Sequence, residues 1–179
     1  MNNNLSQPVY WTKLHHHHWE LYLAATSNGL CYVGSSCAPF EELERWIARR
    51  LPHTSLIRDD VKLSLYGKEI AEYLEGSRDQ FTIPFDLQGT TFQLEVWQAL
   101  RDIPYGTTCS YSDIAQRIGR PTSSRAVGTA IGANPLLISI PCHRVIGKNG
   151  ALTGYRGGID MKTSLLKLER EGITIHDAR

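Results

Sequence analysis

Cysteine is scarce in this chain. The four present, Cys31, Cys37, Cys109 and Cys142, are scattered and form no C-x-x-C pair. That excludes a disulfide framework and points to a reducing compartment. No apolar run approaches the ~20 residues that a membrane-spanning helix needs. Neither charge sign dominates: the net charge is +1 and charged residues make up 21%, so the chain as a whole is no electrostatic magnet for nucleic acid. There is no internal repeat and no low-complexity linker, and between Met1 and Gln7 no basic region precedes an apolar stretch of the kind that opens a secretory signal. A soluble, cytoplasmic globular protein is therefore expected, and the disordered, membrane and disulfide-stapled classes drop out.

What is present suffices for a core: 41% of 179 residues are hydrophobic, enough for one or two domains. Charge is unevenly divided. Residues 1–90 carry 8 Lys and Arg against 11 Asp and Glu, and residues 91–179 carry 11 against 7. A polyanion, if one binds, belongs to the second half; taken alone, the asymmetry is more simply chance scatter.

The first half, residues 1–87, reads as strands with two helices. Runs rich in β-formers at 10–14, 19–25 and 30–33 suggest an antiparallel meander, with Ser27, Asn28 and Gly29 at one turn. His15, His16, His17 and His18 fall between the first two runs and read as a hairpin turn; no further ligand stands at zinc spacing from them. Phe40, Leu43, Trp46 and Ile47 recur at helical spacing after Pro39. Asp59 or Asp60 is expected to cap a second helix reaching Leu74, and residues 81–87 read as a closing strand.

The second half, residues 88–179, opens with a capping box, Thr90 followed by Gln93, and a helix with Phe92, Val96, Leu100 and Ile103 on one face. After Pro104, Tyr105 and Gly106, a short helix capped by Ser110 or Ser112 runs through Ile118, and a second, capped by Thr122 or Ser123, runs to about Ala133. Such a pair is a helix-turn-helix pattern. Its second helix is rich in small residues, Ala126, Gly128, Ala130, Gly132 and Ala133. A helical Gly costs ~1 kcal/mol relative to Ala, so something must approach this backbone closely, either another protein element or nucleic acid. Arg125 near the helix start favours nucleic acid, which recognition helices address with their early residues. A last helix is expected over about 160–170.

The chemistry concentrates at residues 141–145, Pro-Cys-His-Arg-Val. Neighbours on a strand point to opposite faces, but Pro141 predicts a turn that can bring Cys142 and His143 to one pocket. A thiol with pKa near ~8.5 becomes a strong nucleophile when a base or positive charge favours the thiolate. His143 can supply that help, and such an imidazole needs a carboxylate to fix its tautomer. Glu169, on the last helix, is the candidate.

This segment resembles the active-site signature of the O6-alkylguanine-DNA alkyltransferases, the methylated-DNA–protein-cysteine methyltransferases. Further matches in order and spacing are Ser110-Tyr111, Arg125-Ala126-Val127-Gly128, Asn134-Pro135, Gly154-Tyr155, Gly157-Gly158 and Glu169. They cover about residues 81–172; the first half is similar only in its strand-helix plan. The resemblance implies an α/β fold, a ribonuclease-H-like sheet-plus-helix domain followed by a winged helix-turn-helix domain. It implies repair of O6-alkylguanine in double-stranded DNA by irreversible, single-turnover transfer to Cys142. The alkylated base must leave the stack to be reached. Arg125 would fill its place, with Ala126, Gly128 and Ala130 letting the backbone come close. Tyr111 would assist base rotation and donate a hydrogen bond or proton to N3, and main-chain groups near Cys142 and Val145 would read the base edge.

By the same resemblance His143 acts as base through a water, Glu169 orients it, and Asn134 braces the turn. Tyr155 and Arg156 would sit at the pocket rim, where Arg156 replaces a small residue and so bears on alkyl size. No cofactor, metal or membrane enters this scheme, and the protein is expected to be a monomer. No cysteine cluster supports an added zinc-bound regulatory domain, and Cys142 stands where lesion-binding relatives carry Trp. A DNA-binding lesion sensor or repressor would leave Cys142 unexplained. A Cys-His-Glu acyl hydrolase would leave Arg125 and the glycine-rich helix unexplained.

Overall fold

The computed structural model describes residues 7–177, with side chains through Gly172. Residues 1–6, on which most of the expectation about a leader rests, and residues 178 and 179 lie outside it.

Strand β1 (Val9–His16) and β2 (Trp19–Ala25) form an antiparallel hairpin with His15 opposite Glu20 and His16 opposite Trp19. The histidine run is thus divided between the end of β1 and the turn, where His17 takes a left-handed φ of 52°. His15 Nδ1 lies 3.6 Å from Glu20 and His16 Nε2 lies 3.4 Å from Glu75. Among the described residues no group of three or more His, Cys, Asp or Glu could hold a metal ion.

Strand β3 (Leu30–Val33) pairs antiparallel with β2, and β4 (Leu56–Arg58) pairs parallel with β1, giving the order β3-β2-β1-β4. Helix α1 (Phe40–Arg50) places Leu43 and Ile47 on one face of the sheet, against Val9, Ala24, Cys31 and Tyr32. The other face, carrying Trp19, Leu21 and Leu23, packs on α2 (Ser64–Leu74) and on residues of the second half, including Trp97, Leu100 and Leu137. The two halves therefore share one apolar core, which fixes their mutual position by burial rather than by a linker.

Two expectations are corrected, and one strand is new. Residues 81–87 form no regular strand: the segment touches β3 through a single bridge, Leu30 to Phe85. Pro84 has no N–H for a ladder and gives only its carbonyl, to Leu30 N at 2.9 Å. Gly29, at φ 152°, is required there, because a Cβ would meet the Pro84 oxygen at 2.5 Å. Neither Asp59 nor Asp60 caps α2. Asp59 Oδ1 accepts from Lys62 N at 2.9 Å in a turn before the helix, and Asp60 is taken by Thr12 Oγ1 at 2.6 Å. Strand β4 was not anticipated, since three residues at a sheet edge leave no readable alternation.

In the second half α3 (Thr91–Arg101) begins with the expected reciprocal bonds of Thr90 and Gln93. Ser110 and Asp113 form a second capping box at α4 (Tyr111–Arg117), and α5 (Ser124–Gly132) follows Ser123, whose side chain makes no capping bond. The Trp97 indole donates to the Ala130 carbonyl at 2.8 Å, tying α3 to α5. Beside this pair, β5 (Cys109–Ser110) and β6 (Val145–Ile146) form a two-stranded parallel sheet. Helix α6 (Ile159–Asp177) runs beyond the expected end near residue 170. Among the described residues no helix is long and apolar enough to cross a membrane.

Candidate active site

The site is assembled where α5 ends. Asn134, fully buried, accepts from Leu136 N at 3.0 Å, and its Nδ2 donates to the Ile140 carbonyl and to Cys142 Sγ, each at 3.0 Å. The chain between doubles back tightly, with the β-branched Ile138 held at φ 70°, a conformation that costs energy unless its surroundings enforce it. Pro141 lies at φ −79°, ψ 59°, the centre of an inverse γ-turn closed by Cys142 N to Ile140 O at 2.7 Å. Cys142, His143 and Arg144 then form one 3₁₀ turn. The turn anticipated from Pro141 is present, and these residues do not alternate as strand neighbours would.

Both carboxylate oxygens of Glu169, on α6, are fully paired. His143 Nε2 lies 2.6 Å from Oε1, and Arg144 donates from Nε at 3.0 Å to Oε2 and from Nη2 at 2.9 Å to Oε1. Gly106 N donates to Oε2 at 2.8 Å, and the Tyr73 hydroxyl donates to Oε1. Arg144 Nη1 is held by the Ile103 carbonyl at 2.6 Å. Burial by itself would raise the Glu169 carboxyl, but the bonds and charges of His143 and Arg144 outweigh it and hold the group at about 2. Burial pushes the His143 imidazole below its ordinary value, against the pull of Glu169. A neutral ring beside an ionised carboxylate carries its proton on Nε2, so Nδ1 is left with its lone pair. That Nδ1 is buried and has no protein partner.

The Cys142 side is the less polar. The residue is 3% exposed; burial raises the thiol, and the Asn134 hydrogen bond draws it back down. Lys162, fully buried, donates to the Val145 carbonyl at 2.6 Å and to the Thr153 carbonyl at 3.0 Å. The Tyr111 hydroxyl donates to the same Thr153 carbonyl at 3.2 Å, joining the start of α4 to the loop that carries Tyr155. The Tyr155 hydroxyl is buried without a partner. A cleft of about 570 Å³ reaches the 3₁₀ turn through Pro141 and Arg144 but is not lined by Cys142.

Cys142, His143, Glu169 and Asn134 therefore come together, with Val145 and Tyr111 linked to them through Lys162 and Thr153. Arg125 and Ala126 are exposed on α5, and Gly128 faces the Tyr111 ring. Two expectations change. Ala130 is 3% exposed and packs inward toward Trp97, so its small size serves the approach of α3 rather than that of an outside partner. The Arg156 guanidinium turns to the first half, where Glu42 Oε1 lies 2.7 Å away and where it lines a cleft with Tyr32, Glu42 and Trp46. Sequence reasoning missed Tyr73, Arg144 and Lys162. Lys162 was readable: with Leu165, Leu166 and Glu169 it repeats at i, i+3, i+4 and i+7 on the buried stripe of α6. Tyr73 gave no signal, since an aromatic on an apolar helix face reads as core.

The fold defines a two-part α/β protein in which a sheet unit is joined to a helical unit that carries the α4–α5 pair. In the first, residues 9–87 match the profile of the 6-O-methylguanine DNA methyltransferase ribonuclease-like domain; in the second, residues 91–171 match the DNA binding domain of the same name. An inducible methylated-DNA–protein-cysteine methyltransferase of Bacillus subtilis is 57% identical over 162 residues, 90% of either chain. A methylated-DNA–protein-cysteine methyltransferase of Mycobacterium bovis is 53% identical over 102 residues, 57% of this chain and 62% of the relative. The Mycobacterium tuberculosis OGT crystallised in complex with DNA superposes with a TM-score of 0.78 at 37% identity, over 91% of this chain and 94% of that one. This chain belongs to the 6-O-methylguanine DNA methyltransferase family.

Proposed function

We propose that this protein repairs DNA by moving an alkyl group from O6 of guanine in double-stranded DNA to Cys142 Sγ, once per molecule. The observation that carries this reading is the pairing of His143 with a strongly ionised Glu169, which leaves an unpartnered Nδ1 on the residue next to the only cysteine hydrogen-bonded by a buried amide among the described residues. The thiol proton passes to His143 Nδ1 by way of a water, and the positive ring that results is stabilised by Glu169. The thiolate attacks the alkyl carbon, an S–C bond forms, the C–O6 bond breaks, and its electron pair leaves with the guanine. Tyr111 supplies the proton that N3 of the base takes up. The product thioether has no leaving group that this site could activate, so the thiol is not regenerated.

The DNA side of the reading rests on α5. A Cβ at Gly132 would meet nothing within 4 Å and one at Gly128 would make only ordinary contact with Tyr111, so internal packing does not demand either glycine. Their small size serves a partner approaching from outside, with exposed Arg125 and Ala126 on the same helix. Arg125 enters the stack in place of the flipped base, and Val145 and Tyr155 border the base that is turned toward Cys142. The protein acts as a monomer and needs no cofactor.

The test is transfer of a label from the O6-alkyl group of a guanine in duplex DNA. One label at most per protein, recovered on the Cys142 peptide, is expected. Repeated turnover, or label on another residue, overturns the reading.

A further inference from the structure

The alkyl-transfer reading leaves Arg156 without a task, yet its guanidinium bonds extensively across the two halves. It carries five N–H donors, and acceptors surround all three nitrogens. Nε donates to the Asn134 carbonyl at 3.0 Å, and Nη2 to the Val33 and Pro135 carbonyls at 2.9 and 3.3 Å. Nη1 donates to Glu42 Oε1 at 2.7 Å and lies 3.5 Å from the Tyr32 hydroxyl. Tyr32 in turn donates to the same Glu42 oxygen at 2.8 Å, and the guanidinium lies over the Tyr32 ring, 5.3 Å from its centre. Ser35 Oγ closes the arrangement by donating to the Arg156 carbonyl at 3.2 Å.

The position of these acceptors matters. Val33 is the end of β3, and its N–H donates to the Pro135 carbonyl at 2.9 Å. Asn134 and Pro135 open the doubled-back segment that ends at Cys142, and the Asn134 side chain is the hydrogen-bond partner of Cys142 Sγ. Arg156 itself stands next to Tyr155 in the loop that also carries Thr153. One planar cation therefore ties three pieces together: the sheet edge, the backbone of the residue that holds the thiol, and the loop opposite. Lysine could not do this, because a point charge with three donors lacks the fork that meets carbonyls and a carboxylate at once.

The geometry points to Arg156 as a positioning residue for alkyl transfer, anchored by Glu42 of the first half. It acts through the Asn134 backbone to hold Cys142 in line with the base, and it does not act on alkyl size. The inference rests on the proposed transfer to Cys142. Misplacing a nucleophile by about 1 Å costs roughly a hundredfold in rate, whereas Arg125 stands at the far end of α5 from Asn134. Loss of Arg156 should thus lower the limiting rate of transfer and leave duplex binding as it was.

Single-turnover kinetics separate the two quantities. Duplex DNA with one labelled O6-methylguanine is titrated against wild type, Arg156→Ala, Arg156→Lys and Glu42→Gln, and the free O6-methylguanine base is used in parallel. Arg156→Ala is expected to slow the limiting rate about ten- to a hundredfold on both substrates, with the half-saturating duplex concentration unchanged. Arg156→Lys should recover part of that loss, and Glu42→Gln should slow transfer by a smaller factor. Should Arg156→Ala fail to fold, Glu42→Gln carries the test. Label transfer by wild type with an unaltered limiting rate in the folded variants overturns this inference alone. A loss confined to half-saturation, or to thermal stability, overturns it as well. No label on Cys142 of wild type overturns the transfer reading and this inference with it.

Discussion

Replacing Glu169 by Gln removes one negative charge from a fully buried position and leaves the shape of the side chain in place. With its carboxyl held at about 2 against an ordinary value of 4.5, Glu169 contributes on the order of 3 kcal/mol to folding at neutral pH. The sign follows from the direction of the shift. A depressed carboxyl stabilises the folded state fully above its unfolded value and loses that contribution as pH falls through the folded one, here between about 4.5 and 2. His143, depressed by burial, works in the same direction from its ordinary value of 6.5 downward. The neutral amide of the variant cannot balance the Arg144 guanidinium, whose side chain is 7% exposed, and an unpaired buried charge costs about 3–5 kcal/mol. Urea unfolding at a series of pH values from 7 to 2 measures both effects. The wild type should lose stability as pH falls, Glu169→Gln should be less stable by several kcal/mol at pH 7, and the gap should close as pH approaches 2. A gap that stays constant across this range would refute the assignment of Glu169 as the ionised hub of the site.

Two other outcomes test separate parts of the structure. Arg125→Ala should slow repair of duplex DNA far more than reaction with the free O6-alkylguanine base, because only the duplex has to be opened; equal losses in the two assays would remove Arg125 from that role. Trp97→Phe should lower stability by about 1–2 kcal/mol through loss of the indole bond to the Ala130 carbonyl, read as a shift of the urea midpoint, and an unchanged midpoint would mean that α3 and α5 are held by apolar contact alone.

How much of this was legible in the sequence depended on the range over which each interaction acts. The capping boxes of α3 and α4 were readable, because each is closed within three residues of its own start. The turn at Pro141 was equally local. Residues 81–87 misled because their apolar content was real and their failure to pair came from Pro84 and from the neighbour they met, Gly29. In the site, chemistry alone asked for a carboxylate beside His143, and the resemblance singled out Glu169 among the candidates. Arg156 could not. Its acceptors are mostly backbone carbonyls and a glutamate 114 positions away, and neither residue carries a pattern that announces the other. Ala130 shows the converse limit: a small residue reads the same whether it makes room for an outside partner or for Trp97.

The hydroxyl of Tyr73 joins Glu169 from α2, on the other side of the junction from every motif that marks the chemistry. The segment from residue 88 onward would take the nucleophile, the base and the carboxylate with it if grafted to another scaffold. It would leave behind the Tyr73 hydroxyl, a hydrogen-bond donor that the carboxylate uses. The front half is thus no passive chaperone for a portable enzyme: it closes the shell of donors around the carboxylate.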